Sequence, residues 1–305
     1  GIFAWLVLPF LGALLAIPSG HSLMELLTSA NQFNVAMTVF FGVLWGVGGL
    51  TFGLSMRYLG VALGQSIALG TCAGLGTIMG PVLINAFFPE EHALNQLTAS
   101  VLIGVAVTLL GIAIIGWAGK RKTALLSEEE KKKAVKDFNF PKGISIALLA
   151  GFMSGCFNVG LEFGKDINFG DLTPAMYRTL PATLLVTIGG FVTNAVYCLW
   201  QNQHNHTWSD YTKGSVWANN LFFCFLAGAL WYSQFFGLSL GKGFLISSPV
   251  LTTLSFCILM ALNVVFSNVW GIILKEWKGC DRTTIAVLVS GIIVLLISCF
   301  LPQII

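Results

Sequence analysis

The sequence predicts an all-α protein that crosses a lipid bilayer many times. Of its 305 residues, 56% are hydrophobic and only 10% are charged, and the mean hydropathy is +0.83. A soluble domain carries about 25% charged residues, so this chain could not cover a water-exposed surface. The 34 glycines agree with this class, because glycine is more frequent in transmembrane helices than in soluble ones. With 24 Phe and 9 Trp, the chain is also too apolar to be disordered.

Nine apolar segments carry this prediction. A spanning helix needs about 20 mostly apolar residues, with a range of about 17–25. The segments cover residues 2–17, 34–56, 61–87, 97–117, 143–164, 180–200, 216–240, 245–274 and 284–301. The eighth is long for one span, so we expect it to tilt or to begin with an irregular stretch around Ser247, Ser248 and Pro249.

Lysine and arginine set the expected orientation, because short cytoplasmic loops carry an excess of both. Residues 118–142 hold eight of the sixteen, which predicts that this segment is cytoplasmic. Alternation along the chain then places five more inside and leaves only Lys165, Arg178 and Lys242 outside. The same alternation places the acidic turn at Glu90 and Glu91 and the C-terminus in the periplasm.

The basic segment also divides the chain. We expect an N-terminal repeat over residues 1–117 with four visible helices, a cytoplasmic linker over 118–142, and a C-terminal repeat over 143–305 with five. Two weak self-similarities support a duplication. GVLW at 42–45 resembles GALW at 228–231, an offset of 186, and LIG at 102–104 resembles VSG at 289–291, an offset of 187.

Unequal halves suggest that one helix precedes the sequence. Shifting the start of the fifth visible span back by the repeat offset falls before Gly1. We therefore expect nine of ten helices here, with the first helix missing. Repeats of five helices have opposite orientations in the membrane, which is the inverted design of secondary transporters.

One helix carries the strongest functional signal. In the segment 143–164, Gly151, Gly155, Asn158 and Glu162 follow one another at helical spacing and share a face. Glu162 is the one acidic residue that we place within a span, and a carboxylate there is a candidate functional site, here for proton coupling. The alternative is an interfacial ion pair with Lys165, three residues further on.

Aromatic rings and side-chain amides inside spans suit a small neutral sugar, because rings cover its C–H surfaces and amides bind its hydroxyls. The candidates are Trp45, Gln65, Asn158, Asn194, Trp231, Tyr232, Gln234 and Asn263. The alternative is structural, since Trp also marks membrane interfaces and amides also link helices. Arg57, which follows directly on an apolar span, is explained by topology.

Several function classes find no support. The chain has no phosphate-binding loop, no G-x-S-x-G elbow and no H-E-x-x-H motif, so we do not expect an enzyme. Seven scattered cysteines indicate neither disulfides nor a metal site, and the pair His204 and His206 fits a solvated loop. A net charge of +3 indicates no nucleic-acid partner. The expected partners are a small neutral sugar and the bilayer, and the sequence predicts no oligomeric state.

Four motifs are similar to a known family. FGVLWGVGG at 41–49, FGLSMRYLG at 52–60, LWYSQFF at 230–236 and LKEW at 274–277 resemble the bacterial L-rhamnose–proton symporter family of the drug/metabolite transporter superfamily. The resemblance implies ten helices in two inverted repeats, and uptake of a methylpentose across the inner membrane. It also implies no cofactor beyond the proton as coupling ion, and a chain that begins at the family's second helix.

The sequence departs from that family in two places. Gly241-Lys242-Gly243 supplies one basic group where the family symporter has a His and an Arg. The outer loop at 166–176 also differs in length and content, so the sugar is less firmly implied than the transporter class. Two alternatives stay open: a metabolite or drug exporter on the same fold, and a membrane sensor that transports nothing.

Overall fold

The computed structural model describes residues 1–125, 139–212, 214–275 and 277–304. Helices dominate this part of the chain, and it contains no β-strand. The charged run from Glu128 to Lys133, together with Lys213 and Glu276, lies outside the described residues.

Ten α-helices are described. A π-helix, Phe3–Val7, leads directly into α1. The α-helices are α1 (Leu8–Leu14), α2 (Leu23–Ser29), α3 (Gln32–Leu59), α4 (Val61–Phe87), α5 (Ala99–Ala124), α6 (Phe140–Phe163), α7 (Leu180–Asn205), α8 (Gly214–Phe244), α9 (Pro249–Ile273) and α10 (Arg282–Phe300). Short 3-10 turns occupy several loops, among them Gly170–Leu172, Ala175–Tyr177 and Trp208–Thr212.

Local chemistry determines where these helices begin and end. Gly60 joins α3 to α4 by itself with φ +81°, a left-handed conformation that glycine adopts without steric cost. The hydroxyl of Thr98 accepts from the Val101 N–H and caps α5. Asp281 does the same for α10 through the Thr284 N–H. Pro249 occupies the first turn of α9, where its missing N–H costs nothing.

Eight of these helices are long and apolar enough to cross a membrane, which confirms the expected all-helical, multi-span class. They correspond to the second through ninth expected segments. The eighth segment does begin irregularly, since α9 starts only at Pro249.

The first expected span, residues 2–17, differs from the prediction. It forms the shorter apolar helix Phe3–Leu14, below the length of about 17 residues that a span needs. A turn over residues 15–17 ends it before Pro18. The sequence prediction also missed α2, whose N-terminus carries a reciprocal capping box between Ser22 and Glu25.

The described helices form two compact units. The first unit contains Gly1–Val47 and Val159–Ser247, and the second contains Gly48–Asn158 and Ser248–Ile305. Each unit therefore takes segments from both sides of the linker, and α3 and α6 each contribute to both units. The units are a different division from the sequence repeats, which stay a prediction.

The first unit is held together by close helix packing and by aromatic contacts. Phe41 on α3 and Phe163 on α6 stack with ring centroids 5.5 Å apart. Leu26 of α2 packs in a small buried cluster with Ile167 and Leu185. This cluster attaches α2 to the loop after α6 and to α7.

The second unit has a larger apolar core. Ile115, Val264, Leu288 and Leu295 from α5, α9 and α10 are each at most 1% exposed. At one end of this core, Arg121 pairs with Asp281 at 3.2 Å. Next to Arg121, the ammonium of Lys122 lies 4.7 Å from the centre of the Trp277 ring.

Candidate functional site

Three tryptophans of the first unit form one cluster. Trp45 lies on α3, Trp231 on α8 and Trp5 in the π-helix before α1. The ring centroids are 5.3 Å apart for Trp5 and Trp45, 5.9 Å for Trp5 and Trp231, and 5.7 Å for Trp45 and Trp231. Each ring therefore contacts the other two, and we call this group of three indoles the tryptophan cluster.

Glycines of α3 and α7 position Trp45. A Cβ at Gly42 would overlap the Val186 carbonyl, and one at Gly189 would overlap the Val39 carbonyl. The two helix backbones therefore touch, which small residues alone allow. A Cβ at Gly190 would overlap the Trp45 ring itself, and Trp45 is only 9% exposed. Trp45 thus lies against bare backbone, which fixes the orientation of the cluster.

A cavity of about 740 Å³ lies beside the cluster, within the range of about 300–1,000 Å³ typical of ligand pockets. Gly1 and Ile2, the first two residues of the sequence, line it together with Trp5 and Asn194, and Asn202, Trp208 and Tyr211 line it further along. The side chains in its wall are aromatic, aliphatic or amide, with one thiol, so they suit a neutral ligand.

The side chain of Asn194 can accept a hydrogen bond from a ligand in this cavity. Its Nδ2 donates to the carbonyl of Gly190 at 2.9 Å and to that of Gly46 at 3.2 Å. An amide nitrogen has two hydrogens, so both are used, and the side-chain oxygen remains to accept from a ligand hydroxyl. The bond to Gly46 joins α7 to α3 beside Trp45, and the bond to Gly190 lies within α7.

Tyr232 and Gln234, the other predicted residues of this unit, differ in environment. Tyr232 is 6% exposed, and its hydroxyl is buried against Gly12. That hydroxyl has no hydrogen-bond partner among the described residues. Gln234 is half-buried one turn after Trp231.

The predicted carboxylate has a basic partner in the same unit. Oε1 of Glu162 lies 3.7 Å from Nζ of Lys242, and the two side chains are 17% and 12% exposed. Each residue occupies the last turn of its helix, α6 for Glu162 and α8 for Lys242. The negative ends of two helix dipoles disfavour a carboxylate there, and the ammonium opposes that effect. Nearby, Ser239 accepts from Thr179 at 2.7 Å and donates to the Met176 carbonyl at 2.8 Å.

The remaining predicted residues belong to the second unit. Nδ2 of Asn158 donates to the Gly76 carbonyl at 2.9 Å, and its buried Oδ1 has no partner among the described residues. Asn263 donates to the Leu259 carbonyl at 3.1 Å, and Gln65 is half-buried. Arg57 is exposed in the last turn of α3. The amides of Asn158 and Asn263 thus bond helix backbones in this unit.

Within the described part of the chain, no group of three or more His, Cys, Asp or Glu side chains is arranged to hold a metal ion. The described residues of the candidate site supply aromatic rings, amide and hydroxyl groups for hydrogen bonding, and the carboxylate of Glu162 paired with Lys242.

Comparison with known proteins identifies the family. The sequence model of the family described as L-rhamnose-proton symport protein matches residues 1–303. The chain belongs to this family. Membership in the L-rhamnose-proton symport protein family confirms the family resemblance, and it confirms that the chain is a multi-pass transporter and not an enzyme.

Curated members of the L-rhamnose-proton symport protein family align along almost the whole chain. The L-rhamnose-proton symporter of Yersinia pestis (strain Pestoides F) is 29% identical over 305 residues, covering 98% of this chain and 85% of the relative. The L-rhamnose-proton symporter of Salmonella paratyphi B is 29% identical over 310 residues with the same coverage. No solved structure gives a significant match.

Sequence reasoning missed two features of this site. Trp5 was not singled out, although an indole inside an apolar helix was a sufficient signal to include it. The pairing of Lys242 with Glu162 was not predicted, because nothing in the sequence connects Lys242 to a carboxylate 80 positions away.

Proposed function

We propose that this protein takes up L-rhamnose together with a proton across the bacterial inner membrane by alternating access. The observation that carries the proposal is the tryptophan cluster beside a cavity with mostly apolar walls, in a chain that matches the symporter family over residues 1–303. Aromatic faces cover the C–H surfaces of a sugar, and amides bind its hydroxyls.

Sugar binding is assigned first to Asn194 in the cavity wall, and to Trp45 and Trp231, which form the tryptophan cluster with the cavity-lining Trp5. Tyr232 and Gln234 follow Trp231 on α8, and the buried Tyr232 hydroxyl offers a donor that no described residue uses. The side-chain oxygen of Asn158, in the second unit, is likewise buried without a hydrogen-bond partner among the described residues. Gln65 and Asn263, also of the second unit, are proposed as further substrate-binding residues.

The proposal includes an inverted repeat, and two helix pairs support it. Trp45 and Trp231 are equivalent at the offset of 186, and their rings are in contact. Residues related by a two-fold axis touch each other only close to that axis, so such an axis would pass between these two rings. In the first unit, the matched residues of α3 and α8 therefore meet as an inverted pair would.

The second matched pair is α5 and α10. Thr108 donates to Ser298 at 3.0 Å, and a Cβ at Gly111 would touch Leu295. As the number on α5 rises the number on α10 falls, so the helices are antiparallel. Equivalent helices of two inverted repeats have opposite directions, and this packing agrees with that requirement.

Proton coupling is assigned to Glu162. A proton arriving from outside converts the carboxylate to a neutral acid and removes its attraction to Lys242. The outer ends of α6 and α8 are then free to rearrange around the bound sugar. Release of the proton to the cytoplasm restores the pair, so one proton accompanies each sugar in this scheme.

Orientation follows from the basic residues. The linker lies in the cytoplasm, while the turn at Glu90 and Glu91 and the C-terminus lie in the periplasm. In a background without the exposed Cys198 and Cys224, Glu91→Cys should react with an impermeant maleimide in spheroplasts, and Lys120→Cys only after permeabilisation. The reverse pattern would invert the topology.

Export of a metabolite is the other transport function open to this fold. Energy-depleted cells separate the two, because inward symport alone makes the medium more alkaline when L-rhamnose is added. We expect labelled L-rhamnose to accumulate in cells expressing the protein and an uncoupler to abolish that accumulation. Purified protein in liposomes without flux of L-rhamnose would support a sensor instead.

A further inference from the structure

We infer that Trp5 determines specificity for a 6-deoxy sugar, with its indole forming the apolar wall that receives the methyl group on carbon 6. The inference rests on the proposed function and adds a residue and a selectivity to it. It depends on three observations: the conformation of the segment that carries Trp5, its ring contacts, and its position on the cavity.

The segment that carries Trp5 has an unusual conformation. Phe3–Val7 forms a π-helix, a rare conformation that occurs mostly in single turns and often at functional sites. Neighbouring residues anchor it to α8. The ring of Phe3 packs edge-on against Phe225 at 5.5 Å, and a Cβ at Gly228 would touch Phe3. These contacts hold Trp5 in position independently of any ligand.

Trp5 differs from Trp45 and Trp231 in its position relative to the cavity. Its ring is inclined at 71° to Trp45 and at 70° to Trp231, as in edge-to-face pairs. Trp45 is buried behind it against Gly190. Trp5 is half-buried, and it is the member of the tryptophan cluster that lines the cavity. A ligand in the cavity therefore meets the indole of Trp5 on one side and the amide of Asn194 on another.

This arrangement distinguishes a methyl group from a hydroxymethyl group. L-rhamnose carries a methyl on carbon 6, and L-mannose is the same sugar with a hydroxyl on that carbon. Against an indole face, the methyl is buried favourably, whereas the extra hydroxyl loses water without gaining a partner. Apolar pockets discriminate against such an added hydroxyl by about 10- to 100-fold. We expect a preference for L-rhamnose of that order.

The test is competition by unlabelled L-rhamnose or L-mannose against labelled L-rhamnose, measured as half-inhibitory concentrations. Wild-type protein should show the preference of about 10- to 100-fold. Trp5→Ala should weaken the binding of L-rhamnose and so reduce the preference to within about threefold. Trp5→Phe should retain most of the preference, and Trp5→Gln should shift it toward L-mannose by offering a polar partner. Trp217→Ala, which removes a 55% exposed tryptophan of the same unit, should leave the ratio unchanged.

The outcomes separate this inference from the proposed function. Wild-type cells that fail to accumulate L-rhamnose would overturn the transport proposal. Cells that transport it with equal preference for the two sugars would overturn the inference alone. An unchanged ratio in Trp5→Ala or in Trp5→Gln would do the same. If Trp5→Ala does not reach the membrane, the ratios of half-inhibitory concentrations measured for wild type and for Trp5→Gln still test the role of Trp5.

Discussion

Glu162 and Lys242 form an ion pair, with Oε1 and Nζ 3.7 Å apart, between the last turns of two helices. The pair joins the acidic residue that the sequence analysis singled out to a basic residue 80 positions further along the chain. Both side chains are mostly removed from solvent, and removing one partner of such a pair leaves the other charge buried without compensation. The first two predictions concern this pair.

Glu162→Gln should abolish proton-driven accumulation of L-rhamnose while sparing exchange between internal and external sugar. The amide keeps the size of the side chain but cannot take up or release a proton. The measurement is labelled uptake with an imposed pH gradient beside counterflow in liposomes. Asp171→Asn serves as control, since that carboxylate pairs with Arg178 at 3.1 Å but is fully exposed. Normal alkalinisation by Glu162→Gln cells would exclude Glu162 from coupling.

Lys242→Gln should weaken proton-driven accumulation of L-rhamnose. Without the ammonium, the mostly buried carboxylate of Glu162 loses the counter-charge that lies 3.7 Å away in the wild type. Labelled uptake with an imposed pH gradient is the measurement. In the double variant with Glu162→Gln, the loss of accumulation should be no larger than in Glu162→Gln alone, because the carboxylate that the ammonium faces is gone. Equal accumulation in wild type and Lys242→Gln would contradict the scheme.

Gly190→Ala should weaken both the fold of the first unit and sugar binding. The added methyl would overlap the Trp45 ring, and overpacking of this kind costs about 1–3 kcal/mol. We expect a lower melting temperature and a higher KM for L-rhamnose. Gly237→Ala is the matched control, because a Cβ there meets nothing within 4 Å. If Gly190→Ala matches Gly237→Ala in both measurements, the close contact with Trp45 is unimportant.

Asp281 should make stability depend on pH in the acidic range. A hydrogen bond from the Thr284 hydroxyl, with further bonds from the Thr284 N–H and Arg121, lowers the pKa of Asp281 below its usual 3.8. A lowered folded-state pKa stabilises the protein above the unfolded value, and the effect is lost as pH falls through the folded value.

Melting temperatures between pH 7 and 3 test this prediction. Asp281→Asn should melt below the wild type at neutral pH, and the two curves should converge as the pH falls below about 4. Glu90→Gln, at an exposed turn, should show no such difference. Parallel curves for wild type and Asp281→Asn would show that the charge of Asp281 contributes nothing to stability.

Most helices could be predicted because their signals are local. Apolar length alone located eight spans, and the start of α9 followed from Pro249. The helix at Leu23–Ser29 was missed because its seven residues are too few for a hydrophobic period to stand out, although its capping box is readable afterwards. The first expected span was too long by one turn, because its apolar residues continue after the helix has ended.

Part of the candidate site could also be predicted from the sequence. The repeat offset predicts that Trp45 and Trp231 are a matched pair, and their rings are in contact. The third ring, Trp5, has no counterpart in that repeat signal. Its inclusion depends on how the π-helix approaches α3 and α8, which is a property of packed backbones.

By itself, the sequence determined the membrane class, eight of the helices, the family and the identity of the unusual carboxylate. These properties depend on composition and on neighbours within a few turns, where hydrophobicity and capping act directly. Only the tertiary structure decided that Glu162 pairs with Lys242 and that Trp5 completes the tryptophan cluster. Both contacts join segments that are far apart in the sequence, so they depend on how whole helices pack; at Trp5, for example, Gly228 of α8 leaves room for Phe3 of the π-helix.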